Sequence, residues 1–131
     1  MLDEHWRSVR SDYTEGNICK QASWVLVSEF VDQKAEQLAF YLESYWQDKV
    51  AFKEMDCFIW DVLEEWAAIK NADTQMYTHK ERVFWHVIYQ VQFVGGHSLR
   101  HDASVRDEVQ LYTLYLKGGK PCPLDVIGMR P

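Results

Sequence analysis

The residue types best suited to chemistry in this chain are two histidines, four positions apart, in the segment GGHSLRHD. On a helix, His97 and His101 would share one face, so that both imidazoles could bind one metal ion. A zinc site needs at least a third protein ligand, for which His86, Cys57 and Asp61 are the candidates. The segment lacks the glutamate of the HExxH motif, so the sequence predicts only a partial metal site at His97 and His101.

A structural interpretation of the same segment competes with the metal site, and we favour it. The Gly95-Gly96 pair is expected to end one helix, and Asp102 to cap the next, because aspartate accepts hydrogen bonds from the free N–H groups of a first helical turn. The two histidines would then lie in a polar connection between helices. We accordingly expect no cofactor.

A third histidine, His86, stands between Trp85 and Val87 in an apolar stretch. A buried, neutral imidazole with one backbone partner is favoured over a general base, because burial disfavours the charged form. The alternative is a ligand- or metal-binding helical bundle, or an enzyme, that uses His86, His97 and His101 as the polar groups of its pocket.

Three acidic residues crowd the segment WDVLEEW. Asp61, Glu64 and Glu65 fall in the C-terminal half of an expected helix, where the helix dipole disfavours negative charge. Asp61 and Glu65 also repel each other at a spacing of four. Either basic side chains of later helices neutralise the cluster, or a basic protein partner binds it, or it is a solvated surface without a role. The internal candidates are Arg82, Arg100 and Arg106.

The chain contains neither glycine nor proline between Asn17 and Val94, and its apolar residues recur every three to four positions, which is typical of helices. The first helix is expected to begin near Asn17 or near Ser28 and to end near Asp48. A second helix follows a short turn, with Glu54 placed to close a capping interaction at its start.

Two further helices are expected. Thr78 and Glu81 match the reciprocal capping box at the start of the third helix, which is apolar on most of its circumference and should therefore be central. Gly95-Gly96 should end it. The fourth helix should end at Gly118-Gly119.

These patterns predict an all-α bundle of four to five helices with an extended C-terminal tail packed on it. We expect one helical domain over residues 1–131, with an irregular segment at 1–16 and a non-helical tail at 118–131. All three prolines of the chain lie in that tail, which excludes helix there. Its apolar side chains, which should dock on the bundle, are Leu124, Val126, Ile127 and Met129.

Composition narrows the classes of function. The net charge of −6 argues against a nucleic-acid partner and against binding to an anionic membrane. The three cysteines form neither a disulfide framework nor a zinc motif, so we expect a reduced, cytoplasmic protein. The 6 Trp, 7 Tyr and 6 Phe are many rings for one small bundle, which favours a homodimer.

The leading functional hypothesis is a small cytoplasmic protein–protein interaction module, of the adaptor, inhibitor or immunity type. It depends on the surplus of aromatic residues, the acidic cluster at Asp61, Glu64 and Glu65, and the apolar tail, together with the lack of a recognisable catalytic motif. The identity of the partner does not follow from the sequence.

Overall fold

The computed structural model describes residues 26–119, 123, 126 and 128–131. Within these residues the chain forms four α-helices, one short 3₁₀ helix and no strand, which confirms the all-α class. The predictions for residues 1–16 and for a helix start near Asn17 lie outside this part of the chain. The helices are α1 (Val27–Trp46), α2 (Phe52–Ala67), α3 (His79–His101) and α4 (Ala103–Leu116), and the 3₁₀ helix is Ala72–Thr74.

Helix α1 is capped from a distant loop. Its N-cap residue, Leu26, offers no side-chain acceptor, and the N–H of Val27 instead donates to the side-chain oxygen of Gln75 at 2.8 Å. Ser28, the predicted start, lies inside the first turn. The helix ends at Trp46, close to the predicted end, and Asp48 then takes a left-handed conformation with φ of 61°.

The predicted cap of α2 is wrong, whereas the caps of α3 and α4 are confirmed. No side chain caps α2, because its N-cap residue is alanine, so Glu54 has no reciprocal partner. In contrast, the Thr78 hydroxyl accepts from the Glu81 N–H at 3.0 Å. Asp102 accepts from the first backbone N–H groups of α4, at 3.0 Å and 3.3 Å. Two of the three capping predictions therefore place a helix start correctly.

The predicted break in the third helix at Gly95-Gly96 is confirmed, but the polar connection predicted after it is helical. Gly95 has φ of 77° and ψ of 176°, outside the helical region, and the chain resumes helical geometry after it up to His101. Only glycine adopts this backbone conformation readily, so Gly95 forms a bend between two helical segments. The bend is tied to α1, because the Tyr45 hydroxyl donates to the Gly96 carbonyl at 2.7 Å.

Helix α3 is central, as its apolar circumference predicts, and it contacts α1, α2 and α4. Full burial of side chains of this size is worth roughly 1.5–3 kcal/mol each, so α3 makes a large contribution to the apolar stabilisation of the bundle. Its fully buried apolar side chains before the bend are Val83, Phe84, Trp85, Val87, Ile88 and Val91.

Among the described residues, no helix is both long enough and apolar enough to cross a membrane.

Candidate functional site

The bend in α3 places His97 and His101 on a helical turn, where they share one exposed face. Their ring centroids are 4.8 Å apart, so the predicted pairing of the two imidazoles is present. The described residues contain no group of three or more His, Cys, Asp or Glu side chains that could hold a metal ion. His86, Cys57 and Asp61 therefore do not complete a site with the pair.

His86 lies half-buried between α3 and α4, with its ring edge-on to Tyr112 at a centroid distance of 5.1 Å. Burial lowers its pKa below the ordinary value, while the negative charge of Glu108 opposes part of this shift. The ring is therefore neutral near pH 7, as predicted. The predicted backbone partner is not found, because Nε2 has no hydrogen-bond partner among the described residues.

The acidic cluster does not form one continuous surface. Asp61 is buried, with 7 % of its area exposed, and Glu65 is half-buried. Glu65 pairs with the Lys34 ammonium at 3.1 Å, and that side chain is only 1 % exposed. Glu64 alone among the three is exposed. The cluster is thus divided between a structural ion pair and a surface carboxylate.

The cation that neutralises Glu65 comes from α1, and not from the later arginines considered at the sequence level. Arg82 lies over the Tyr77 ring at 4.6 Å. Arg100 and Arg106 form ion pairs with the acidic residues Asp48 and Asp107, respectively. Lys34 was detectable in the sequence, because it interrupts the apolar stripe of α1 between Val31 and Leu38 at helical spacing.

Only the Thr78 half of the predicted capping box is present, because the Glu81 carboxylate is used elsewhere. The Glu81 side chain is 1 % exposed, and Arg130 donates to both carboxylate oxygens, from Nε at 2.5 Å and from Nη2 at 2.9 Å. The Trp85 indole N–H also donates to this carboxylate, at 3.0 Å. Such bidentate pairs are the strongest charge-assisted hydrogen bonds in proteins. The hydrogen bonds to Glu81 raise the pKa of Arg130 further above its usual range.

Further groups enclose the Arg130 guanidinium. The backbone carbonyls of Ala72 and Met76 accept from it, at 2.7 Å and 3.4 Å. It lies over the Tyr77 ring at 4.2 Å and near the Trp66 ring at 5.5 Å, in cation–π contact. These two carbonyls and two rings, together with the Glu81 carboxylate, form what we call the arginine socket.

The backbone beside Arg130 is also held by the bundle. The Arg130 N–H donates to the Tyr77 hydroxyl at 2.6 Å, and the Tyr89 hydroxyl donates to the Met129 carbonyl at 2.6 Å. Burial raises the pKa of Tyr89, so this phenol stays protonated as a donor. Gly128 is buried. Residues 128–131 are thus bound by side-chain and backbone contacts together.

The arginine socket was missed at the sequence level. Arg130 lies 49 residues beyond Glu81, and no spacing rule connects a tail residue to a helix start. The available hint was Glu81 itself, which precedes a run of apolar residues. Its two carboxylate oxygens need hydrogen-bond donors, and a capping interaction alone does not supply all of them.

An apolar face lies along α1 and α4. A cleft of about 330 Å³ separates the two helices and is lined by Glu43, Trp46, Gln47, Gln110, Thr113 and Leu114. Leu111 and Leu114 are 52 % and 47 % exposed, and Phe40, one turn before Glu43 on α1, is 55 % exposed. At one end, Lys117 pairs with Glu43 at 2.8 Å. We call Phe40, Trp46, Leu111 and Leu114 the α1–α4 face.

Comparison of the chain with protein-family models, with curated proteins and with solved structures finds no match.

The different environments of Glu65, which pairs with Lys34, and Glu64, which is exposed, lead to a prediction about stability. Glu65→Gln should destabilise the fold by about 1–3 kcal/mol, because it removes the carboxylate that pairs with a buried ammonium. The matched change Glu64→Gln, on an exposed side chain, should alter stability by about 0.5 kcal/mol or less. Urea denaturation of the two variants checks this, and equal effects would contradict the division.

The lowered pKa of His86 predicts a pH dependence. Above its unfolded-state pKa of about 6.5 the ring is neutral in both states and has no effect on stability. Below that pH the unfolded chain binds a proton that the native ring takes up only at lower pH, so stability falls. His86→Gln should remove this part of the decline between pH 7.5 and 5.5, measured by urea denaturation. An identical decline in both proteins would show that other groups cause it.

Proposed function

We propose that the chain is a small cytoplasmic protein–protein interaction module, and that the α1–α4 face binds a second copy of the chain. The observation that carries the proposal is the group of large apolar side chains exposed on this face. Leu111, Leu114 and Phe40 each leave about half of their surface to solvent. Exposed apolar groups beside one another are typical of interaction surfaces.

We favour a second copy of the chain as the partner at the α1–α4 face, because the edge of this face carries one acidic and one basic side chain. Glu43 and Lys117, of opposite sign, lie side by side at its edge. In a two-fold arrangement the same surface meets itself, so that each Glu43 can face the Lys117 of the other copy around an apolar centre. The predicted homodimer is therefore proposed through this face.

The number of aromatic rings gives less support for a dimer than the α1–α4 face does. Eight aromatic side chains are buried in the described core of a single copy, so these rings need no partner. These are Phe30, Tyr41, Tyr45, Phe58, Trp66, Phe84, Trp85 and Tyr112. The acidic cluster stays a candidate contact for a further protein, with Glu64 as its exposed member.

The proposal has three further parts, which concern the class of partner, the cellular compartment and the packing of the tail. The net charge of −6 disfavours nucleic-acid and membrane partners. The cysteine pattern favours a reducing compartment. The packing of the tail on the bundle is supported by the contact of the His79 ring with the Pro123 carbonyl and by the packing of Val126 against the core. Met129, which was also predicted to dock, is instead 65 % exposed, and Leu124 and Ile127 lie outside the described residues.

A second candidate function is metal or ligand binding at His97 and His101, with His86 elsewhere in the bundle. The observation that favours it is the 4.8 Å between the two ring centroids, which suits two ligands of one transition-metal ion. Calorimetric titration of the protein with Zn²⁺ or Ni²⁺ tests it. Binding that His101→Ala abolishes would support a site, and binding unchanged in that variant would refute it.

The dimer proposal predicts a change of mass. Size-exclusion chromatography with light scattering at tens of micromolar should give twice the chain mass of 15.5 kDa. The double variant L111K/L114K should run as a single chain, because two lysines would place like charges in the contact. Phe93→Lys is the matched control, since Phe93 is 89 % exposed on α3, away from the cleft, and should leave the dimer intact. A wild-type mass of one chain would overturn the proposal.

A further inference from the structure

We propose that the arginine socket is a peptide-binding site, which recognises an arginine in an extended segment of a partner protein and which residues 128–131 occupy within the same chain. The ligand has the pattern Gly-x-Arg, where x is any residue. The proposal does not depend on the α1–α4 face, because the socket is built from other residues, so either can fail without the other.

The socket is specific for a guanidinium group because its Glu81 carboxylate is neutralised through two hydrogen bonds from one side chain. The carboxylate is almost fully buried and accepts two parallel N–H groups from one planar side chain. A lysine ammonium would offer a point charge and could not supply that fork, nor lie flat over Tyr77. Two backbone carbonyls accept two of the remaining three guanidinium N–H groups. The chemistry of the site therefore selects arginine.

Recognition extends to the peptide backbone, which distinguishes a peptide from free arginine as the ligand. The Tyr77 hydroxyl accepts from the N–H of Arg130, and the Tyr89 hydroxyl donates to the carbonyl one residue earlier. These groups would be absent or misplaced in a free amino acid. An extended peptide satisfies both tyrosines at once, so we commit to a protein segment as the source of the arginine.

The position two residues before the arginine must be glycine. A Cβ added to Gly128 would collide with the carbonyl oxygen of Arg82 and would lie 2.8 Å from the backbone nitrogen of His86. Both atoms belong to the backbone of α3 and cannot move aside as a side chain can. In contrast, Met129, between Gly128 and Arg130, is 65 % exposed, so the socket places no requirement on the side chain at this position. The pattern Gly-x-Arg follows from these two observations.

The docked segment behaves as a ligand on a tether. Eleven residues, 117–127, separate α4 from Gly128, and the described members of that connection are not helical. Because residues 128–131 belong to the same chain as the socket, their binding is intramolecular and is favoured by a high effective concentration. A partner segment therefore competes with residues 128–131, and its binding releases them from the bundle.

The test uses the full chain with Arg130→Ala, which empties the guanidinium position, and the probe peptide acetyl-Gly-Met-Arg-Pro-amide. Binding is followed by the fluorescence of Trp66 and Trp85, which lie at the socket, and by calorimetry. The probe should bind R130A about tenfold or more tighter than it binds the wild-type chain, whose socket is filled. Equal affinity for the two proteins would show that the probe binds elsewhere and would overturn the proposal.

Three control ligands test the specificity. Acetyl-Gly-Met-Lys-Pro-amide, acetyl-Ala-Met-Arg-Pro-amide and propylguanidinium should each bind R130A at least about tenfold more weakly than the probe. The lysine peptide tests the bidentate contact with Glu81, the alanine peptide tests the need for glycine, and propylguanidinium lacks the backbone N–H and carbonyl that the two tyrosines bind. If propylguanidinium binds as tightly as the probe, the site is one for free guanidinium compounds, and the peptide proposal is wrong.

Two variants keep the test decisive if R130A is unstable. Arg130→Lys retains a cation beside Glu81 and should fold, and the probe should raise its melting temperature more than the lysine peptide does. In the R130K background, Tyr77→Phe should weaken binding of the probe, because it removes the hydroxyl that accepts the backbone N–H of the arginine. The matched change Tyr45→Phe, which removes a hydroxyl that bonds the Gly96 carbonyl outside the socket, should not. Equal effects of the two tyrosine changes, or of the two peptides, would overturn the proposal.

Discussion

A charged carboxylate buried on a central helix has to be neutralised by a cation with good geometry, because the loss of its hydration is otherwise too costly. Glu81 is such a group at the start of α3, and Arg130 supplies the cation from the C-terminal end of the described chain. The same guanidinium bonds the carbonyl of Ala72 and lies over the Tyr77 ring. One ion pair thus fixes the C-terminal segment, the connection between α2 and α3, and the first turns of α3 against one another.

The pair between Lys34 and Glu65 follows the same physical rule at the contact between α1 and α2. It joins α1 to α2 through an ammonium that is almost fully buried, as the first pair joins α3 to the C-terminal segment. Buried ion pairs add little net stability compared with apolar groups, but removing one partner is strongly destabilising. They are therefore best understood as devices that select one arrangement of the helices. The apolar core, centred on α3, supplies the driving force for folding.

Local features of this fold could be predicted from the sequence, and features that depend on distant contacts could not. Thr78 and Asp102 cap their helices as predicted, since a cap is decided within three residues. The break at Gly95 could also be predicted, whereas the helical segment that follows it could not, since the bend is held by a distant contact between Tyr45 and Gly96. The partner of Glu65 was sought among later arginines and is Lys34 on the preceding helix. The arginine socket joins residues too far apart in sequence for any periodicity to reveal.

The central claim is that Glu81 and Arg130 depend on each other, and a double-mutant cycle measures this directly. The free energies of unfolding of the wild type, E81Q, R130Q and the double variant give the coupling between the two side chains, free of their separate contacts. For a buried, bidentate pair the account predicts a coupling of about 2–5 kcal/mol, with the double variant more stable than the sum of the single effects implies. A coupling near zero would show that the two charges do not need each other, and would contradict both the account of the fold and the arginine socket.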